Sequence, residues 1–391
     1  MKARVMVLVR LCVIVIAACS LGSSTSTAAS RAMAAFQAVA NLEAYWAFEE
    51  SGGTTAADSS GNGHTGTHTG GVAIDAVNFS PQPTVNNLRS ISLDGTTGYV
   101  DVPSAASLEI TGSMTLAAWV RPTSAPSHQM GIIEKWADPG TGFINGYFLR
   151  LGTVGTPVTG HYVKFNMGNG AVQNEAAESG VALPLNTWTH VAGVYNGTTM
   201  QVYKNGVSVG SASSGPATAS GVSLSIGGYT PNVFAGNIDD ARIYTRALST
   251  AEIGVLMNGQ AAPTGLVATP GPAQVTLSWT AAPNATNYNI YRAPAVGGPY
   301  VLFASTAGTS YTDTSVVFPI PYWYEVTAVS VMESAPAGPV TATALPTGPH
   351  VKGTTTHNLA HRCGCGSVGT PPFMALALLA LSAMAVLIRR A

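Results

Sequence analysis

The stretch Thr189-His190-Val191-Ala192-Gly193-Val194-Tyr195-Asn196-Gly197-Thr198-Thr199-Met200-Gln201-Val202-Tyr203-Lys204-Asn205-Gly206-Val207-Ser208-Val209 decides the fold. Three runs rich in β-branched and aromatic side chains are separated by two Asn-Gly pairs. Asn-Gly between such runs is the strongest short-range hairpin signal, so the segment reads as three strands joined by tight turns. The pattern continues on both sides. Ser90–Leu93 and Tyr99–Val102 flank Asp94-Gly95-Thr96-Thr97-Gly98, Leu116–Val120 alternates around Trp119, and Tyr147–Leu151 and Tyr162–Met167 read as two more strands. Only Ala247–Met257 has a helical pattern, with Ser249 as N-cap and Glu252 at the capping-box position. Many short strands and almost no helix predict an all-β sandwich or jelly roll.

Charged residues make up 9% of the 391-residue chain, against about 25% in ordinary soluble proteins. A 46% hydrophobic content excludes general disorder. The surface therefore relies on Thr, Ser, Asn and Gly, as exported β-proteins often do. Net charge is −1 and the 17 basic residues are scattered, which gives no electrostatic basis for a nucleic-acid partner.

All four cysteines lie near the ends: Cys12, Cys19, Cys363 and Cys365. The folded region must then be held by core burial rather than disulfides. Residues 1–29 read as a secretory signal peptide, with Lys2, Arg4 and Arg10 ahead of an apolar stretch and small residues through Ala29. Cys19 has two readings. Ile16-Ala17-Ala18-Cys19 resembles a bacterial lipobox with an acylated cysteine, and the alternative is ordinary cleavage near Ala28. At the far end Pro371–Ile388 is apolar and is followed by Arg389-Arg390, a pattern for one transmembrane helix with a cytoplasmic C-terminus. The body of the chain is thus expected outside the inner membrane, in the cell envelope or at the cell surface.

Several segments carry resemblances. Leu42–Glu50, Asp58–Gly63, Leu93-Asp94-Gly95, Leu116–Val120, Trp188–Ala192, Tyr203–Gly206 and Gly236–Tyr244 occur in that order. Together they resemble the laminin-G-like branch of the concanavalin A-like lectin/glucanase superfamily over residues 41–259. That resemblance implies a two-sheet jelly roll that binds sugars or proteins, often with calcium. Residues 262–346 resemble a fibronectin type III domain, an immunoglobulin-like sandwich, with Trp279 as core tryptophan, Tyr322 as tyrosine corner and a stripe of Tyr322, Tyr324, Val326 and Ala328. Residues 347–362 read as a spacer. Residues 363–391, with Cys363-Gly364-Cys365 before the apolar run, resemble a myxobacterial-type sorting tail in which cysteine is the processing and anchoring residue; the alternative is a plain tail anchor.

A retaining glycosidase needs two carboxyls about 5–5.5 Å apart. No strand shows two acids on one face at i, i+2 or i+4, Glu175 and Glu178 read as loop residues, and adjacent Asp239 and Asp240 would point to opposite faces. His190 reads as a strand residue without a nucleophile partner. A non-enzymatic protein is expected. Asp239 would share a core-facing side with Ala241 and Ile243, so it needs a partner. Asp58 and Asn62 offer oxygens on a Gly-rich loop, and in the resembling family these segments meet. Asp58, Asn62 and Asp239 are therefore expected to share a structural Ca²⁺, or else Asp58 simply caps its turn. Trp46, Trp119 and Trp188 read as core. Trp136, at a loop entry, with Tyr147 and Tyr229, are the candidates for ligand stacking; Trp323 faces away from the core stripe, towards an interface or ordinary cross-strand packing. The functional expectation is a cell-surface recognition or adhesion protein for glycan or extracellular protein. The alternatives are a carbohydrate-active enzyme with an atypical site and a passive envelope spacer.

Overall fold

Both Asn-Gly pairs lie between paired strands, but they turn differently: Gly197 takes φ 105° while Asn196 has no positive φ, in a three-residue connection of Asn196, Gly197 and Thr198. Asn205 and Gly206 take φ of 46° and 77°, the pair of positive angles that a two-residue hairpin turn needs. The computed structural model describes residues 41–82, 87–124, 128–137, 144–154, 160–170, 173–177 and 182–347. The segments expected to be signal, spacer and tail, Thr347 apart, lie outside them, as do Cys19, Cys363 and Cys365. Among the described residues no helix is long and apolar enough to cross a membrane.

The first sheet runs in the order β14 (Val207–Ser213), β13 (Thr199–Lys204), β12 (Thr189–Tyr195), β7 (Met114–Pro122), β16 (Ala235–Tyr244), β5 (Ser90–Asp94) and β4 (Val72–Asp75), and β1 (Leu42–Trp46) also pairs with β16. The second runs β11 (Gln173–Ala177), β10 (Gly160–Asn169), β9 (Asn145–Val154), β8 (Met130–Ala137), β15 (Leu224–Ile226), β6 (Tyr99–Val102), β3 (Gly66–Thr69) and β2 (Thr55–Ala56). Alternate residues of the two sheets meet in one core. Trp46, Leu116, Ala118, Val120, Val191 and Ile243 come from the first sheet, and Ile133, Tyr147, Leu149, Val163, Phe165 and Leu224 from the second. The β-sandwich expected from the alternating runs is what the chain forms.

Strand β12 is buried along its whole length, which explains why it reads as a nearly continuous apolar run. Its other face, with Ala192 and Val194, lies under an α-helix, α1 (Thr250–Asn258). Ser249 caps α1 and forms the full capping box with Glu252, satisfying N–H groups that the first turn leaves without partners. The turn after β5 is held in a similar way. The Asp94 carboxylate accepts from the N–H groups of Thr96, Thr97 and Gly98 at 2.8, 2.8 and 2.9 Å.

Two further sheets follow: a three-stranded one, β17 (Thr264–Gly271), β18 (Gln274–Thr280) and β21 (Ser310–Asp313), and a four-stranded one, β20 (Val301–Thr306), β19 (Asn287–Ala293), β22 (Pro321–Val329) and β23 (Ala337–Thr343). Their core holds Val275, Leu277, Trp279, Tyr288, Ile290, Tyr324, Val326 and Ala328. The anchored hydroxyl is not that of Tyr322. Tyr324 donates to Asp313 Oδ2 at 2.8 Å, while the Tyr322 ring receives the Arg292 guanidinium at 4.9 Å. Trp323 packs within its own sandwich, beside Tyr291, Ala293 and Tyr300. The two sandwiches meet where Val331 and Met332 join the apolar cluster around α1 and Tyr244; Tyr244 donates to Val331 O at 3.1 Å.

A β-bulge changes the expected facing of β16. Its register with β7 shifts between Asp239 and Arg242, and Asp240 takes φ 51°. One extra residue in a strand reverses the alternation beyond it. Asp239 and Arg242 stand opposite Trp119 and Ala117 on the outward face, whereas Ala241 and Ile243 enter the core. The expected core-facing Asp239 is thus corrected, as is the separation of the two aspartates. Both carboxylates reach Ser80: its N–H donates to Asp239 at 2.8 Å and its hydroxyl to Asp240 at 3.4 Å.

Candidate functional site

The sequence-predicted residues fall into four places. Asp58 and Asn62 hold the loop between β2 and β3 against β1. The Asp58 carboxylate accepts from Tyr45 N, Ser60 N, Ser60 Oγ and His64 N at 3.1, 2.8, 2.9 and 2.8 Å. Burial pushes this carboxyl up, but the donors from His64, Ser60 and Tyr45 outweigh burial and leave it below the ordinary range. Asn62 gives its amide to the carbonyls of Leu42 and Glu43 at 3.0 and 2.9 Å. Asp239 instead belongs to the outward network of the first sheet and accepts from Ser80 N and Asp240 N, each at 2.8 Å. These partner sets do not gather the three residues into one donor shell for Ca²⁺. Among the described residues no group of three or more His, Cys, Asp or Glu is placed to hold a metal ion. Asp58 caps its own turn through Ser60 N and His64 N.

Tyr147 is core. It is 1% exposed and its hydroxyl donates to Leu108 O at 2.8 Å, so it presents no ring to a ligand. Burial pushes its hydroxyl far above the usual tyrosine range.

Trp136 and Tyr229 come to one face, the outward side of the second sheet. Trp136 lies inside β8 rather than in a loop and is half-buried. On the adjacent strand Phe148 meets it edge to face at 5.2 Å. The Arg150 guanidinium stacks 4.0 Å from the Phe148 ring and 4.9 Å from the Trp136 ring. Arg150 also pairs with Glu134 and donates to Gln129 Oε1 at 3.2 Å. Glu134 is 1% exposed; burial raises its carboxyl above the ordinary range despite the Arg150 charge. Tyr229 completes the other side. Its backbone N–H donates to Glu134, its hydroxyl donates to Asp101 Oδ1 at 3.2 Å, and its ring meets Tyr99 edge to face at 4.8 Å. Glu134, Ser225 and Asp101 stand in one row across β8, β15 and β6.

Sequence reasoning did not single out Arg150, Asn166 or Ser225. In β10 Asn166 pairs with Phe148, on the face opposite Phe165 and Met167. It is fully buried, and neither its Oδ1 nor its Nδ2 has a partner among the described residues; the same holds for Ser225 Oγ and Arg150 Nη2. Leaving a buried donor or acceptor unsatisfied costs about 1–3 kcal/mol per group, and native folds seldom carry many. Three such residues on one outward face, beside a partly exposed indole and a stacked guanidinium, supply donors and acceptors for ligand oxygens. Lys164 borders them, two residues before Asn166 on the same strand face. Glu175 lies in β11 at the register position opposite Asn166, not in a loop, and Glu178 is outside the described residues.

A family model described as the concanavalin A-like lectin/glucanases superfamily matches residues 94–254. Over 68 residues the chain is 44% identical to the amylopullulanase of Thermoanaerobacterium saccharolyticum, a match covering 17% of this chain and 5% of that protein. Over 90 residues it is 41% identical to the poly(3-hydroxybutyrate) depolymerase of Ralstonia pickettii, covering 22% of this chain and 17% of that protein. The chain therefore spans a small part of the length of these curated relatives. Among solved structures, domain 4 of AbnA, an extracellular arabinanase from Geobacillus stearothermophilus in complex with arabinotriose, is 22% identical. That likeness covers 56% of this chain and 99% of that one, with a TM-score of 0.42.

Proposed function

We propose that this chain is a carbohydrate-recognition protein of the cell surface that binds glycan on the outward face of its second sheet and releases it unchanged. The observation that carries the reading is the cluster of Arg150 Nη2, Asn166 and Ser225, whose buried polar atoms have no partner among the described residues, next to the Trp136 ring. An amide offers one donor and one acceptor side by side, the complement of neighbouring hydroxyls on a sugar. An indole gives the apolar face of the same ring a surface to stack on. Because Arg150 is neutralised by Glu134, the site suits neutral sugars rather than acidic ones. The lectin side of the matching superfamily agrees with this.

In this proposal residues 262–346 are a fibronectin type III module. With the 347–362 spacer it holds the jelly roll away from an envelope to which the 363–391 tail, through Cys363 or Cys365, secures it after export by the 1–29 signal. The test is a glycan array probed with the full chain and with Trp136→Ala. Retained glycans that Trp136→Ala releases would support the reading, and an array blank with both would end it.

One observation favours the enzymatic alternative: Glu134 carries a raised carboxyl on the same face, a property shared by catalytic acids. Its ion pair with Arg150 and its burial withhold it from substrate. Release of reducing sugar from a polysaccharide panel that disappears in Glu134→Gln would establish turnover.

A further inference from the structure

We propose that the outward face of the first sheet holds a second ligand site, a pocket that takes the ring of an uncharged sugar. A pocket of about 380 Å³ is lined by Pro81, Trp119, Trp188, Asn205, Met257 and Asn258, a size within the roughly 300–1,000 Å³ typical of ligand sites. Besides Pro81, which follows β4, four parts of the fold build it. Trp119 comes from β7, Trp188 directly precedes β12, Asn205 forms the β13–β14 turn, and Met257 and Asn258 end α1.

Trp119 is 5% exposed, yet its indole N–H has no partner among the described residues. A buried indole N–H normally finds an acceptor, so this one is a donor held ready at the pocket wall. The ring is fixed edge to face against His190, with centroids 5.4 Å apart. Burial, aided by the Arg242 charge, pulls the His190 pKa down to about 3, so the imidazole behind the wall is neutral.

The two asparagines are oriented by the bonds they already make. Asn205 Oδ1 accepts from His190 N at 2.9 Å, which leaves its NH₂ end to face a ligand. Asn258 Nδ2 donates to Gly254 O at 2.9 Å, which leaves its carbonyl oxygen. An indole N–H, an amide NH₂ and an amide oxygen set around two tryptophan rings match a polyhydroxylated ring, whose hydroxyls both donate and accept and whose C–H faces stack on indole. None of the lining residues is charged, which gives carboxylates and phosphates no counter-charge. A quaternary ammonium would leave the Trp119 N–H without an acceptor.

The site stands independently of the Trp136 face, and the test separates them. Saturation-transfer NMR is recorded on the full chain carrying Trp136→Ala, with the methyl pyranosides of glucose, galactose, mannose and N-acetylglucosamine as probes. At least one probe is expected to show transfer. Trp188→Ala is expected to weaken it by roughly tenfold, the loss of one stacking partner, and Trp119→Phe, which keeps an aromatic ring but removes the N–H with the pyrrole half of the indole, to weaken it as well. Trp188 is half-buried, so its variant keeps the test valid if Trp119→Phe does not fold. No transfer from any probe, or transfer untouched by Trp188→Ala, would overturn the proposal.

Discussion

The jelly roll has two outward faces, and the buried charges of the first are paired where the buried amide and hydroxyl of the second are not. On the first sheet Asp240 accepts from Tyr45 Oη at 2.6 Å and from Arg242 Nη2 at 2.9 Å. Arg242 stacks 4.1 Å from the Tyr45 ring and reaches Gln82 Oε1 at 3.4 Å. Gln82 in turn donates to Leu256 O at 2.7 Å, tying the network to α1. Along this network the charges are paired and the face is closed by the helix and by Val331 and Met332. On the second sheet Asn166 and Ser225 have no partner among the described residues. A satisfied buried network rigidifies a fold, while an unsatisfied one is a cost that stability does not explain. The Arg242 network holds this protein together, whereas the unpartnered groups, Trp119 Nε1 beside that network and Asn166 and Ser225 on the second sheet, are what it offers to a partner.

The largest expected effect concerns acid sensitivity of the closed face. Folding lowers the His190 pKa from 6.5 to about 3, so between those values the unfolded chain binds more protons and stability falls as pH drops. The full span is worth up to roughly 5 kcal/mol. Urea unfolding from pH 7 to pH 4 should show a slope that His190→Gln reduces; an unchanged slope would remove His190 from the account. Next, Arg242→Ala leaves Asp240 buried without its counter-charge and should cost about 3–5 kcal/mol. A loss below about 1 kcal/mol would mean that the network is not the seal. Ser249→Ala removes the cap of the covering helix and should cost about 1 kcal/mol by the same denaturation. Smallest is the response to Ca²⁺. With the Asp58 oxygens engaged by four chain donors, little change in melting temperature is expected. A rise on adding Ca²⁺ that chelator reverses would support a shared site of Asp58, Asn62 and Asp239.

Much of the fold is legible in the sequence because turns and caps are local chemistry. Asn205-Gly206, Asp94 and the Ser249–Glu252 box each act within a few residues, and each forms as read. The facing of Asp239 is not legible. An Asp-Asp pair in a strand carries no mark of a bulge, and one extra residue inverts the alternation from which facing is read. Tyr147 does carry a signal against a stacking role: it shares parity with Leu149 and Leu151, which places it in the core. Trp136 reads as a loop residue because Asp138-Pro139-Gly140 follows closely, although β8 extends through Ala137. Asn166 has no signal, since a polar residue between Phe165 and Met167 is what ordinary alternation produces. Only the absence of partners among the described residues distinguishes it, and that is a property of the assembled sheet.

Asn166→Val probes the contrast between the faces most directly, with unfolding free energy and glycan retention measured on the same preparation. Replacing an unsatisfied buried amide by an apolar side chain of similar size should change stability by no more than about 1 kcal/mol, or raise it, while retention of array-positive glycans is lost. A marked loss of stability with glycan retention intact would contradict the account.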